Sequence, residues 1–278
     1  MNRWLGIATF GIMLAANAGL FLRDIMPRWA AGEAPPRAEL SLSPGQELAS
    51  QIGIFDAVGR RLGYSWTIRS RSVDVLTVRS STVLLPTAFP PRLDIARLRI
   101  DTELTFVQAQ QLDTLVIRVR GLGFPVKLNG EYVPPNDFPC QWQVADRRGY
   151  FVVPAQATRA LGDAVRPFQS LAELQLGQTW TIEIVNPLAA LFPGWDSADM
   201  ATSPSIARVT GVDWIEMDGM GLKAWVVEAD RVRAWVAPTG RVLRQEVEAP
   251  LIGRLVIVDE VYDDDTRRRF LQATASDF

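Results

Sequence analysis

The segment RLRIDTELTF, Arg97 to Phe106, alternates without a break. Leu98, Ile100, Thr102, Leu104 and Phe106 fall on one side, and Arg97, Arg99, Asp101, Glu103 and Thr105 on the other. A strict period of two is the repeat of a pleated strand with one face on a core and one in water. A 3.6-residue helical repeat would mix the two sets, so this stretch commits the chain to a sheet.

The same signal recurs through most of the chain. QIGIFDAVGRRLGYSWTIRS reads as two strands joined at Ala57-Val58-Gly59, and SVDVLTVRS alternates Val73, Val75 and Thr77 against Asp74, Leu76 and Val78. TLVIRVR sets Leu115, Ile117 and Val119 on one face. FPVKLNGEYV contains Asn129-Gly130, a strong hairpin-turn pair because both residues accept positive φ, and a turn is expected there. GYFVVP and TWTIEIVN add short strands. The last third reads as a meander, SIARVTGVDWIEM, GLKAWVVEA, RVRAWVAP, GRVLRQEVE and GRLVIVDEV, broken at Asp218-Gly219, Ala229-Asp230, Pro238-Thr239-Gly240 and Pro250 to Gly253. A two-residue turn at Ala229-Asp230 sets Val227 opposite Val232 and Trp225 opposite Ala234. Trp225, Val227, Val232, Ala234 and Val236 then share an apolar face, and Glu228, Arg231, Arg233 and Trp235 share the other.

Three stretches depart from the strand pattern. Ala157, Leu161 and Ala164 recur at helical spacing ahead of Pro167, which predicts one inserted helix. NPLAALFPGWDSADMATSPS is a long irregular loop, a type often used for binding. At the far end, Asp263, Asp264 and Asp265 precede a predicted helix over Thr266 to Thr274. Their spacing lacks the Gly and Glu of an EF-hand loop, so they read as acids favouring a helix N-terminus.

The chain opens differently. Trp4 through Leu22 are nineteen residues without a charge. As a helix they span about 28 Å, close to the hydrocarbon thickness of a bilayer. Trp4 on one flank and Arg23, Arg28 and Trp29 on the other suit an interfacial setting. Ala16-Asn17-Ala18 would serve as a signal-peptidase site, yet Leu20, Phe21 and Leu22 continue the apolar run beyond it, and we read an uncleaved anchor. The expected organisation is a membrane anchor or signal over 1–29, a Pro/Gly/Ala-rich linker over 30–47 and an exported β-rich domain over 48–278. The expected location is a bacterial inner membrane, single-pass, with the domain on the periplasmic side.

Composition removes several functions. Histidine is absent, which excludes Ser-His-Asp and Cys-His catalysis and imidazole zinc sites in this chain. Cys140 is alone, so no intrachain disulfide forms. The formal net charge of -2 argues against a nucleic-acid partner. Only Lys127 and Lys223 are lysines; the many arginines read as scattered, matched by acids, and the product of coding bias. Asp213, Glu216 and Asp218 are the nearest thing to a catalytic carboxylate group, and alternating positions beside a turn make them solvated acids. No enzyme activity, cofactor or metal is expected.

The run DGMGLKAWVVEADRVRAWVAPTGRVLRQEVEAPLIGRLVIV resembles the half-barrel of bacterial lipoprotein carriers, the LolA-like family. Its marks are the glycine-containing turn Asp218 to Gly221, the tryptophan strand Arg233-Ala234-Trp235-Val236 and the hairpin Thr239-Gly240-Arg241-Val242. GIFDAVGRRLGYSW is similar to the start of such domains in anchored proteins. The resemblance implies that, behind the N-terminal transmembrane helix read above, the fold is mainly β (α+β): a large curved antiparallel sheet with one inserted helix and a short C-terminal helix. The carriers themselves are soluble after cleavage, so a retained anchor is a departure from them. It also implies an apolar trough for a lipid or another apolar ligand, with Trp225, Trp214, Leu98, Ile100, Leu104 and Phe106 as candidate lining. The alternative is a structural accessory subunit that docks on a membrane complex through Trp235, Arg231 and Arg233 or the Pro187 to Pro204 loop.

Overall fold

A computed structural model describes residues 32–35, 42–89, 95–107, 111–134, 137–154, 168, 171–184, 203–217, 219–249 and 253–273. The first eight strands are β1 Glu47–Asp56, β2 Arg61–Arg71, β3 Val75–Leu84, β4 Leu98–Val107, β5 Gln111–Arg120, β6 Val126–Glu131, β7 Asp137–Val144 and β8 Arg147–Pro154. The others are β9 Thr179–Ile184, β10 Ser203–Met217, β11 Met220–Ala229, β12 Val232–Val236, β13 Val242–Ala249 and β14 Gly253–Glu260, followed by helix α1, Asp264–Ala273. The described strands form one antiparallel sheet in the order β8-β7-β6-β5-β4-β3-β2-β1-β14-β13-β12-β11-β10-β9. The chain meanders outward from β1 to the β8 edge, resumes at the opposite edge with β9, and meanders back until β14 pairs with β1.

Register assigns the faces. One row runs Leu98, Leu84, Gly63, Ile54, Ile257, Gln245, Ala234, Val227 and Val209 across nine strands, each residue opposite the next. Directly opposed residues project to the same side, so these share what we call the core face. Two buried apolar clusters lie on it. One gathers Ile54, Val78, Leu84, Leu98, Leu104, Leu115, Val119 and Phe138 on the β1–β7 side. The other gathers Trp180, Val209, Val227, Val232, Ala234 and Val236 on the β9–β13 side.

Part of the segment linking the two sheet edges lies on the second cluster. Phe168, Leu171 and Leu174 are buried there, and Phe168 packs edge-on against Trp180 at 6.5 Å. The buried Gln245 side chain clamps the Phe168 backbone: its Nε2 donates to the carbonyl at 2.8 Å, and its Oε1 accepts from the N–H at 3.2 Å. A neutral amide answers both backbone polar groups of one buried residue.

The reverse face is covered locally by α1. Phe270 packs on Tyr64 at 4.8 Å and near Trp66 at 6.1 Å, while Arg99 Nη1 donates to the Leu271 carbonyl at 3.3 Å. The three acids at its start behave as anticipated. Asp263 Oδ1 accepts from the N–H groups of Asp265 and Thr266, and Asp263 Oδ2 accepts from the Thr266 hydroxyl at 2.6 Å. Those bonds hold the Asp263 carboxyl below its ordinary range. Among the described residues no group of three or more acids or cysteines could hold a metal.

The sequence reading needs three corrections. Asn129-Gly130 is not a turn: both residues lie inside β6, with Asn129 opposite Gln141 and Gly130 opposite Cys140. The β11–β12 turn is Asp230-Arg231, so Val227 faces Ala234 and Trp225 faces Val236. Asp230 takes the left-handed conformation that such a turn requires, φ 43°. The shift is two residues, which leaves the assignment of faces intact. Val73 precedes β3 and is exposed. The anchor Trp4–Leu22, the inserted helix over 157–164 and most of the long proline-bounded loop lie outside the described residues. Among the described residues, no helix is long and apolar enough to cross a membrane.

Candidate functional site

The residues expected to line a trough do not gather at one opening. Leu98 and Leu104 are fully packed in the first cluster, and Ile100 and Phe106 are half-buried against it. Trp225 packs on the second cluster. Only Trp214 stands out, 69% exposed.

Its position follows from strand length. β9 pairs with β10 only over Ser203–Arg208, and β12 pairs with β11 only over Trp225–Ala229. Beyond those limits β10 and β11 pair with each other alone, from Asp213↔Ala224 to Met217↔Met220. A bulge between Val209 and Gly211 precedes this arm, and bulges re-aim the strand that follows. Val212, at the base of the arm, and Trp214, on it, are exposed on the core-face side; Ile215, Met217 and Leu222 pack on the other side against Ala224, Val226, Trp235 and Leu243. Asp213 is the pin. Its Oδ1 accepts from the Trp214 N–H at 2.8 Å and its Oδ2 from the Trp235 indole N–H at 3.2 Å. The Trp235 bond, then the Trp214 bond, hold the Asp213 carboxyl low.

The proposed docking residues part company. Trp235 is only 6% exposed, with the guanidinium groups of Arg233 and Arg244 over its ring at 4.9 and 5.2 Å. Its indole is therefore part of the packing of the reverse face. Arg233 and Arg231 are exposed, Arg233 beside Glu228 at 3.5 Å and Arg231 beside Asp230 at 4.0 Å.

The acids singled out in the sequence do not converge. Asp213 and Glu216 stand on opposite faces of the arm, as their odd separation along one strand dictates, and Asp218 lies outside the described residues. Cys140 is wholly buried, and burial pushes its thiol up to about 12, the reverse of what a nucleophile requires.

A groove that the sequence reading missed lies on the reverse face at the β6–β8 edge, with a volume of about 490 Å³. Lys127, Asn129, Gln141, Gln143, Arg148 and Tyr150 line it. Trp142 and Gly149 stand between these residues along β7 and β8 but project to the core face, where the Trp142 ring lies over Gly149 and a Cβ would sit 2.5 Å from the indole. The signal was available only through register, because the lining comes from three strands and no short motif contains it.

The geometry defines an antiparallel β protein built on a single open sheet. Among solved structures it is similar to a DUF1089 family protein from Pseudomonas aeruginosa, at 15% identity over 76% of this chain and 95% of that one, with a TM-score of 0.31. It is also similar to a β-barrel-like protein of the domain of unknown function DUF1849 from Brucella abortus, at 9% identity over 78% of this chain and 97% of that one, with a TM-score of 0.33. No protein-family model matches the chain, and no curated protein does.

Proposed function

We propose that this chain is a membrane-anchored envelope domain that acts by binding rather than catalysis, and that it serves as an accessory subunit docked on a membrane protein complex through the β10–β11 arm. The anchor is the segment Trp4–Leu22, in the inner membrane with the sheet on the periplasmic side. One observation carries the choice of a protein partner over a lipid cargo. Leu98 and Leu104 are used up in the core, whereas Trp214 is presented to solvent on a two-stranded arm, with the exposed Val212 at its base. An exposed tryptophan on a defined backbone is the typical anchor of a protein interface.

The lipid-carrier reading suggested by the resemblance to the LolA-like half-barrel retains one support: Ile100, Phe106 and Trp225 stay half-buried along the core face. Purification of the full chain in mild detergent separates the two. A stoichiometric protein partner that is lost in the Trp214→Ala variant is expected, with no uptake of a fluorescent fatty acid by delipidated protein. Stoichiometric fatty-acid uptake, with partner recovery indifferent to Trp214→Ala, would establish the carrier instead.

A further inference from the structure

Arginines that look scattered in the sequence line up in the fold. On the reverse face one cross-strand row reads Trp66, Ser81, Asp101, Arg118, Lys127, Gln143 and Arg148, each residue opposite the next on adjacent strands. The neighbouring row toward the β8 edge reads Val116, Asn129, Gln141 and Tyr150. Arg118 and Lys127 are thus directly opposed like charges, an arrangement that costs stability in an antiparallel pair. The acids nearby do not neutralise them. Asp101 is held by Arg99 at 2.9 Å and Ser81 at 2.8 Å, and Glu103 by Arg79 at 3.2 Å. Glu131 stands four residues along β6 from Lys127, about 13 Å away at strand rise. Asp146 sits in the β7–β8 turn. Among the described residues no ion pair or hydrogen bond engages the side chains of Arg118, Lys127, Arg148, Asn129, Gln141 or Tyr150.

Protection of the sheet edge would explain charges on β8, since edge strands are commonly blunted that way. It does not explain Tyr150, 76% exposed, or the exposed Val152 on the same face of the same strand. Those side chains make the edge more adhesive, not less. Nor does it account for Arg118 and Lys127, which stand on interior strands.

From this arrangement we infer that the β6–β8 groove binds an anionic saccharide chain. Each part of such a ligand has its counterpart. The Tyr150 ring offers a flat apolar surface for the C–H face of a sugar ring. The amides of Asn129, Gln141 and Gln143 can each donate and accept toward hydroxyl groups, Gln143 keeping its oxygen free while its Nε2 donates to the Ala145 carbonyl at 3.2 Å. Lys127 and Arg148, with Arg118 behind them, meet carboxylate or sulfate groups, and no carboxylate side chain lines the groove. The volume is within the usual range of ligand sites, roughly 300–1,000 Å³. A phospholipid headgroup would use the cations but leave three amides and the ring without a role.

Calorimetric titration of the full chain in detergent tests this with a galacturonate hexamer, maltohexaose, inorganic phosphate and phosphatidylglycerol vesicles as separate probes. The hexamer should bind and weaken with added salt, with maltohexaose at least about tenfold weaker. Lys127→Gln with Arg148→Gln should weaken the hexamer by about tenfold. Tyr150→Ala should weaken it by about fivefold, and the far-ultraviolet β signal should stay unchanged in all variants. Equal binding of maltohexaose, hexamer binding indifferent to these substitutions, binding of vesicles or phosphate without the hexamer, or no binding at all would each overturn the inference.

Discussion

At Gly130 the β6 backbone passes under Phe138 so closely that an added Cβ would press into the ring and lie 2.8 Å from Cys140 Sγ. All three residues are buried, and neither neighbour is a flexible surface group. Glycine is required here for close approach, not for a turn. Gly130→Ala should therefore cost about 1–3 kcal/mol by overpacking, read as a lower urea midpoint at unchanged slope. If crowding is the cause, Gly130→Ala combined with Phe138→Leu should cost less than the sum of the two single changes. Additive costs, or a neutral Gly130→Ala, would refute the crowding account. The Asn-Gly pair also shows where local reading ends: a dipeptide states what conformations are open to it, and the strand on either side decides which is used.

At the scale of elements, the pairing of β13 with β14 is fastened on the reverse face by Glu246. Its carboxylate is buried while its partners reach it from the solvent side: Arg244 at 2.7 Å on its own strand, and Arg254 from β14. Burial alone would raise the Glu246 pKa, but hydrogen bonds and attraction from Arg254 and Arg244 outweigh it and hold the carboxyl below its ordinary value. A lowered folded-state pKa means the contribution is fully present above the unfolded value, near pH 4.5, and is lost as pH falls through the folded one. Glu246→Gln should cost about 1 kcal/mol at pH 7 and should flatten the loss of stability below pH 4.5. Denaturant titrations at a series of pH values check this, and parallel pH profiles for the two proteins would refute it. Elements of this kind were largely legible. Strand alternation located β4, β5 and β11 to β14, and the acid cluster correctly announced α1. β7 escaped because DFPCQWQV carries a proline and two glutamines that blur its period. The Asp230-Arg231 turn escaped by one residue at each end, because nothing local says that Asp230 will adopt positive φ.

The whole molecule depends on a contact that local pattern cannot disclose. Among the described strands the two meanders pair with each other only at β1 and β14, and the hydrogen bonds that bridge this seam on the reverse face join residues up to 212 positions apart. Gln51, 5% exposed, is the centre of it. Its Oε1 accepts from the Trp66 indole at 2.8 Å and from the Asp263 N–H at 3.1 Å, and its Nε2 donates to Glu260 at 3.2 Å. Glu260 in turn pairs with Arg61 at 2.7 Å. One amide therefore ties β1, β2, β14 and the approach to α1 together. Alternation along β1 can say that Gln51 points away from Ile52 and Ile54; it cannot say that the reverse face is buried at this point, because the cover arrives from the far end of the chain. Gln51→Ala should leave the indole N–H and the Asp263 N–H without their partner, at a cost of about 2–3 kcal/mol. Because the loss sits on the seam, amide hydrogen exchange should accelerate together in β1, β14 and α1, with β5 to β7 unchanged until global unfolding. Uniform acceleration across the sheet would mean that the seam is not a separate unit. Unchanged exchange in α1 would mean that the helix is held by Phe270 and the Arg99 bond without help from Gln51.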